Sequence, residues 1–301
     1  HTFIDLGSSP PSNSYLSEQT MKEPEKWYPL KVMVCDNCWL VQTEDFVGSS
    51  EMFSDDYAYF SSYSSTWLEH ARSYVNLMVS RFNLDSDSMV VEVAANDGYL
   101  LQYVKGKNIP CYGIEPTHST ALAAREKGIE IIEDFFGEDK AKELAKQKRQ
   151  ADLIVANNVL AHVPDINDFV KGFTNLLKSD GIATFEFPHL LNLVHHNQFD
   201  TLYHEHFSYL SLLSVSNILN ANGLSVFDVD KISTHGGSLR VYAQRADTNQ
   251  HPVSKNVKVL LKNEEEEGLH TLSFYAGFQQ KAERIKVELL MFLLEAKKKE
   301  K

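Results

Sequence analysis

The chain has 301 residues, 43% of them hydrophobic, and a formal net charge of −12 at neutral pH, so it can bury a sizeable core and is expected to hold more than one domain. The acidic balance argues against nonspecific nucleic-acid binding, because a surface that tracks phosphates needs a basic excess. The longest apolar run, Leu289–Leu294, is too short to span a bilayer, no charged-then-apolar signal opens the chain, and three cysteines make no disulfide framework, which together predict a cytoplasmic protein.

Residues 1 to about 70 contain Pro10, Pro11, Pro29, the pair Cys35-Asp36-Asn37-Cys38 and a Ser/Tyr-dense tract from Ser54 to Ser65. Their weak periodicity predicts short strands and loops, with a helix starting near Ser65 and running through Trp67, Leu68, Ala71 and Val75. From Met89 to about Gln244 strands and helices alternate, the pattern of a doubly wound α/β sheet. Strands are predicted at Met89–Ala94, Cys111–Ile114, near Ile131, at Leu153–Asn157 and at Ile182–Phe187. Asp165 is a natural N-cap for a helix that buries Phe169, Phe173 and Leu176 and stops before Gly181. Two more strands, Ser225–Val229 and Leu239–Gln244, flank a turn-rich stretch from Ser233 to Ser238 and predict an antiparallel edge pair. Beyond His251 the chain reads as helical, with Tyr275, Phe278, Ala282, Ile285, Leu289 and Phe292 on one stripe, while Glu264–Glu267 and Lys297–Lys301 read as solvated charge runs. The expected division is 1–70, 71–250 and 251–301, the last a helical segment leading to a C-terminal domain that lies outside the chain.

The most informative stretch is Met89–Leu101 followed by Glu115. A β-branched run (Val90, Val91, Val93) breaks into Ala94 and Ala95, then Asn96-Asp97-Gly98, then a helical pattern. This strand, tight loop and helix start form the geometry in which open parallel sheets hold nucleotide-like ligands. Glu115 closes the next strand, where a carboxylate can accept both hydroxyls of a ribose, so an adenosine-containing cofactor is indicated. A dinucleotide loop would need G-x-G-x-x-G, whereas this loop has one glycine. Glu92, inside the strand, would repel a pyrophosphate but can reach the amino group of a zwitterion. The pattern resembles the E/D-x-G-x-G-x-G loop of class I S-adenosylmethionine methyltransferases, with Ala94, Asn96 and Gly98 at the three glycine positions.

A second cluster, Gln198 to His206, follows the fifth predicted strand, where residues face the ligand crevice of such a sheet. Tyr203, His204, Glu205 and His206 offer a hydrogen-bond donor, a carboxylate and a base titrating near neutrality. His162 after the fourth strand and His235 in the H-G-G-S turn point to the same rim, and His189 reads equally well as a structural contact. Cys35 and Cys38 have the spacing of one knuckle of a tetrahedral zinc site, which needs four ligands, and Cys111 belongs to a buried strand.

From Phe3 to about Ala243 the order LGSSPPSNSYL, YPLKVMVCDNCWLVQ, VVEVAANDGYLLQ, GIEP, DLIVANNVLAHVPD, FEFPHL, QFDTLYHEHFSYLS and HGGSLR resembles the sugar C-methyltransferases that act on nucleotide-linked keto-deoxysugars. That resemblance implies a class I methyltransferase fold, Rossmann-like with a doubly wound seven-stranded sheet whose seventh strand is antiparallel, beside a small N-terminal zinc-binding domain and a C-terminal domain. It implies S-adenosylmethionine as cofactor, structural zinc held in part by Cys35 and Cys38, and a nucleotide-sugar as small-molecule partner, with no nucleic acid and no membrane. His206 maps to the general base, with Tyr203, Glu205 and His162 as active-site partners and Tyr57 or Tyr59 closing over the site. Glu92, Ala94, Asn96, Gly98, Glu115, Asp134, Phe135 and Asn157 map around the cofactor, Asp134 and Phe135 at its adenine. Against the family pattern the chain is expected to begin where an upstream C-x-x-C would have ended and to stop before the C-terminal domain. O- or N-methylation of another small molecule is the rival chemistry, and a non-catalytic nucleotide-binding module the rival class.

Overall fold

A computed structural model describes residues 1–12, 15–44 and 60–299. The apolar runs become strands in two sheets. The larger uses β4 (Val90–Val93), β5 (Cys111–Ile114), β6 (Glu130–Ile132), β7 (Ala151–Asn157), β8 (Leu177–Pro188), β10 (Leu224–Ile232) and β11 (Ser238–Arg245), seven strands in the order β10-β11-β8-β7-β4-β5-β6. β4 pairs in parallel with β5 and β7, and the parallel pattern continues to β6 and β8. β11 lies between β8 and β10 and is antiparallel to both, as expected for the seventh strand.

Because β4 is flanked by strands that come later in the chain on both sides, the order reverses there, and the crevice above β4 and β7 is the switch point where such sheets bind ligands. Helices cover both faces. α1 (Ser65–Phe82), α2 (Leu101–Lys105) and α3 (His118–Glu126) pack Ala71, Tyr74, Met78, Val104 and Ala124 against one side. α4 (Glu138–Lys146), α5 (Ile166–Leu176) and α7 (Leu212–Ala221) pack Leu144, Phe169, Phe173, Val215 and Leu219 against the other. Ser64 caps α1 through the Trp67 N–H and Asp165 caps α5 through the Asp168 N–H, each supplying an acceptor to an end that lacks one.

The smaller sheet has the order β1-β2-β3-β9: β1 (Thr2–Ser9), β2 (Tyr28–Val34), β3 (Val41–Thr43) and β9 (Ser208–Tyr209). β9 follows the Tyr203–His206 cluster directly, so that cluster is strung between the two sheets. The Cys35–Cys38 knuckle is the turn joining β2 to β3, closed by Trp39 N–H to the Cys35 carbonyl and Cys35 N–H to the Leu40 carbonyl.

The C-terminal region holds α8 (Lys255–Glu266), α9 (Leu272–Tyr275) and α10 (Phe278–Lys299), with α6 (Leu190–His196) beneath the turn before β11. The expected stripe splits at Gly277, whose φ of +84° ends α9. Tyr275, Phe278 and Ala282 bury against β1, whereas Leu289 and Phe292 are exposed. No helix among the described residues is long and apolar enough to cross a membrane.

Glu264 corrects its reading as part of a solvated run. It is fully buried, receives the Leu212 and Leu213 N–H groups at 2.8 Å each, and meets His189 Nε2 at 2.7 Å. A carboxylate at an open helix N-terminus meets unsatisfied donors and the positive end of the dipole, which is what holds this charge in the interior. Glu264→Ala is therefore expected to destabilise the fold by about 3–5 kcal/mol, the usual result of breaking one side of a buried pair, read as a lower urea midpoint.

Candidate active site

A cavity of about 570 Å³ opens above β4 and β7, well within the range of small-molecule sites. One end is the loop after β4. Ala94, Asn96 and Gly98 all have positive φ, at +56°, +48° and +74°. The turn that glycines usually make is therefore kept with only one glycine. Asparagine tolerates this region, whereas alanine is held there at a cost of about 1–2 kcal/mol. A Cβ at Gly98 would lie 2.4 Å from Ile129 Cδ1, so this glycine lets the loop pack onto the next β-α unit rather than facing the cavity.

Glu115, buried at the end of β5, accepts the Asn96 N–H at 2.9 Å and the Thr117 N–H at 3.0 Å, one on each oxygen. Burial holds its pKa above the ordinary carboxylate value, and those two N–H groups offset part of the rise. Glu115 is part of the cavity wall. Asn157, at the end of β7, lines the cavity with neither side-chain polar atom in a geometric hydrogen bond. Asp134 and Phe135 follow β6; the Asp134 carboxylate receives its neighbour's N–H at 2.8 Å and Lys140 Nζ at 2.8 Å, and the Phe135 ring stands half exposed at the mouth.

Glu92 is placed differently. It is buried in β4 behind the loop, outside the lining, and burial pushes its pKa well above the ordinary carboxylate range despite the neighbouring Tyr99 hydroxyl.

The far end holds the second cluster. A tight turn, closed by the His206 N–H to the Tyr203 carbonyl at 3.0 Å, splits it: Tyr203 and His206 line the cavity, while His204 and Glu205 are buried toward the smaller sheet. His204 Nε2 lies 3.2–3.3 Å from the carbonyls of Tyr28 and Pro29, and Glu205 Oε1 is 3.4 Å from Ser12 Oγ. Glu205 thus reaches the site through its backbone, whose carbonyl accepts a hydrogen bond from His162.

His206 Nδ1 is 2.9 Å from the Thr201 carbonyl, and Nε2 is 2.9 Å from the Tyr203 hydroxyl. A carbonyl only accepts, so Nδ1 carries the proton and Nε2 is the bare, basic nitrogen. His162 packs against it with ring centroids 4.6 Å apart. Burial lowers both pKa values, to about 4 for His206 and about 3 for His162, so both rings are neutral at pH 7. Tyr57 and Tyr59 lie outside the described residues.

The smaller sheet grips this loop from behind. Thr43 Oγ1 donates to the His206 carbonyl at 2.7 Å, and Thr43 N–H bonds the Phe207 carbonyl at 3.0 Å. Thr43→Val would leave a buried carbonyl without its partner, a cost of about 1–3 kcal/mol. The expected result is a lower turnover that Thr43→Ser restores, read as methyl transfer under saturating cofactor.

Sequence reasoning missed Ser61, Trp67, Tyr99 and Thr201, all of which line the cavity. Ser61 and Ser62 donate their N–H groups to the Asn96 and Asp97 side chains at 2.9 and 3.2 Å, and Lys127 Nζ bonds the Asp97 carbonyl and Ser62 Oγ at 2.7 Å each.

The donor set fits the sulfonium cofactor: a buried ribose-type carboxylate, an open carboxamide, and a lining with four carboxylates (Glu115, Asp134, Asp165, Asp168) but neither Lys nor Arg among the described residues. Zinc fits only in part. The Cys38 and Asn37 N–H groups pull the Cys35 thiol pKa down, burial raises that of Cys38, and among the described residues no third His, Cys, Asp or Glu joins them.

Sheet order, antiparallel β11 and a cavity at the switch point define a class I methyltransferase. Three family models cover the chain: "Putative zinc binding domain" over residues 1–53, "Methyltransferase domain" over 67–229 and "C-methyltransferase C-terminal domain" over 233–301. The chain is 32% identical over 286 residues to the C-methyltransferase NovU of Streptomyces niveus, an alignment covering 95% of this chain and 68% of that one. It belongs to the S-adenosylmethionine-dependent C-methyltransferase family. The C-terminal model begins at residue 233, before β11, so part of what the family calls its C-terminal domain lies within this chain. Among solved structures, the PH0226 protein of Pyrococcus horikoshii OT3 superposes with a TM-score of 0.52 at 14% identity, covering 64% of this chain and 99% of that one. The magnesium protoporphyrin IX methyltransferase ChlM of Synechocystis PCC 6803, solved with bound SAH, gives 0.47 at 18% identity, covering 59% and 83%.

Proposed function

We propose that this protein methylates a carbon next to the ketone of a nucleotide-linked keto-deoxysugar, through an enolate generated by His206. The observation that carries this reading is the fixed tautomer of His206, whose bare Nε2 lies on the cavity wall beside Tyr203. Deprotonating a carbon needs a base unprotonated at working pH, and a pKa of about 4 secures that. The same low pKa makes the imidazolium formed in the step costly, so a hydrogen bond to the developing oxyanion has to compensate.

Glu115, Asn96, Ala94 and Asn157 would hold S-adenosylmethionine, with Asp134 and Phe135 at its adenine and Gly98 setting the loop that cradles it. Bound there, the cofactor supplies an electrophilic methyl group. Glu92 would back the loop from behind as a buried carboxyl that burial biases toward its neutral form. Tyr203 would hand its hydrogen bond from His206 to the acceptor, His162 would pack His206 in place, and Glu205 would seat His162 through its carbonyl. The boundaries 1–70, 71–250 and 251–301, a cytoplasmic location and zinc on Cys35 and Cys38 complete this reading.

The test is incubation in D2O with S-adenosylhomocysteine and a panel of nucleoside-diphosphate 3-keto- and 4-keto-6-deoxyhexoses. Deuterium entering a carbon beside the ketone, and methylation of that carbon once the methyl donor is supplied, is the expected result. Methyl found on oxygen or nitrogen without carbon-bound deuterium would overturn it.

A further inference from the structure

We propose that His235 is the hydrogen-bond donor to the acceptor's carbonyl oxygen, a catalytic residue supplied by the H-G-G-S turn; this rests on the enolate chemistry proposed above. Most of the ring protons around the cavity are already committed. His206 gives its Nδ1–H to the Thr201 carbonyl. His162 gives a ring N–H to the Glu205 carbonyl. A neutral imidazole has one N–H, so neither of these rings has a second to offer. Tyr203 directs its hydroxyl proton at His206 Nε2 in the resting site and becomes the rival donor once that nitrogen takes the carbon's proton. His235 lines the same cavity and makes no hydrogen bond with the described residues, so its ring N–H is the imidazole donor left for a ligand.

The backbone at this position is held in a sparsely populated conformation. His235 has φ +49° and ψ +44°, a left-handed conformation that a residue with a Cβ adopts at a cost of order 1–3 kcal/mol and that clusters at functional sites. Gly236 and Gly237 continue it at φ +74° and +107°. The turn is pinned from below: Gln198 Nε2 donates to the Gly236 carbonyl at 3.2 Å, Asn192 Nδ2 to the Gly237 carbonyl at 3.3 Å, and Ser238 Oγ to the Thr234 carbonyl at 2.9 Å. A Cβ on either glycine would sit 2.3 Å from one of those amides, which would have to swing away, and the positive φ at both positions disfavours any larger residue. Trp67 meets the His235 ring edge-on at 5.2 Å between centroids and fixes its direction.

In the step itself, the carbon gives its proton to His206 Nε2, the C–H pair becomes the enolate double bond, and the carbonyl pair moves onto oxygen. The His235 N–H bonds that oxygen without transferring its proton. With the methyl donor bound, the enolate's double-bond pair would form the new carbon–methyl bond as the sulfonium C–S bond broke with its pair left on sulfur, and the oxygen pair would restore the carbonyl.

His235→Gly separates donor from backbone, because glycine adopts positive φ without the Cβ penalty. In the D2O exchange assay the expected result is an exchange rate lower by about 10²–10³-fold, the usual loss on removing one oxyanion donor. The Kd for S-adenosylhomocysteine should stay within twofold and the melting temperature should hold or rise. Exchange within threefold of the parent protein would overturn the assignment, as would a tenfold loss of S-adenosylhomocysteine affinity, which would place His235 on the cofactor. Tyr203→Phe is the companion variant: a loss there with none in His235→Gly assigns the oxyanion to Tyr203 instead. If the parent protein itself exchanges no deuterium with any sugar of the panel, the enolate reading fails first and this inference falls with it.

Discussion

Glu115→Ala is expected to weaken binding of S-adenosylhomocysteine by about 10²–10⁴-fold, the largest effect of any single substitution in the cofactor half of the cavity. Each hydrogen bond from a ribose hydroxyl to a carboxylate contributes about 1.5–3 kcal/mol, and two are lost together, at about 1.4 kcal/mol per factor of ten. The side chain has a second task. Its oxygens tie the Asn96 and Thr117 N–H groups to the end of β5, so alanine also releases the loop that sets the cavity wall. Glu115→Gln keeps the shape and one acceptor oxygen, and is expected to fall between the parent and alanine. Calorimetric titration of all three measures this. Equal affinity in the parent and the alanine variant would remove the ribose from this end of the cavity.

The alternation of strands and helices was legible because each buried strand is a short β-branched run bounded by turn formers, a local signal. The Asp165 cap and the antiparallel seventh strand were legible for the same reason. Three other features were not, and each depends on contacts distant in sequence. β9 is two residues long, and only its pairing with β3 makes it a strand. The cluster Tyr203–His206 showed which residue types gather at the rim, but not that His204 and Glu205 turn away from it to meet the smaller sheet. Glu264 sits in a four-glutamate run that composition marks as solvated, and only the fold brings the open N-terminus of α7 against it. The loop after β4 illustrates the converse case. Counting glycines there argued against a dinucleotide loop, yet Ala94 and Asn96 take the left-handed turns that glycine would have made. The left-handed turn forms there even though residue type is a poor guide to it.

His206→Asn should lower carbon-bound deuterium exchange by about 10²–10⁴-fold, the usual contribution of a placed general base, while leaving S-adenosylhomocysteine affinity unchanged. The pH dependence separates this from a loss of packing. Burial holds the His206 pKa near 4, so the parent's exchange rate should stay level from pH 8 down to about 5 and drop only as the ring protonates near 4. A break near 6.5, the ordinary imidazole value, would mean that the ring is open to water and that the site is not the desolvated one described here. Stability should follow the same group with a definite sign. Unfolding raises the pKa of His206 from about 4, and that of His162 from about 3, toward the ordinary value. Below about pH 6.5 the unfolded chain therefore binds protons that the folded chain refuses, and the stability fully present above that pH is progressively lost toward pH 4 and 3. Asparagine at 206 removes one of the two titrating groups. The urea midpoint of His206→Asn should consequently fall less between pH 7.5 and 5 than that of the parent, even though the variant has lost the exchange reaction. A variant that is both inactive and equally acid-sensitive would show that His206 is protonated alike in the folded and unfolded chains, and the desolvated environment described here, though not the ring's role, would be overturned.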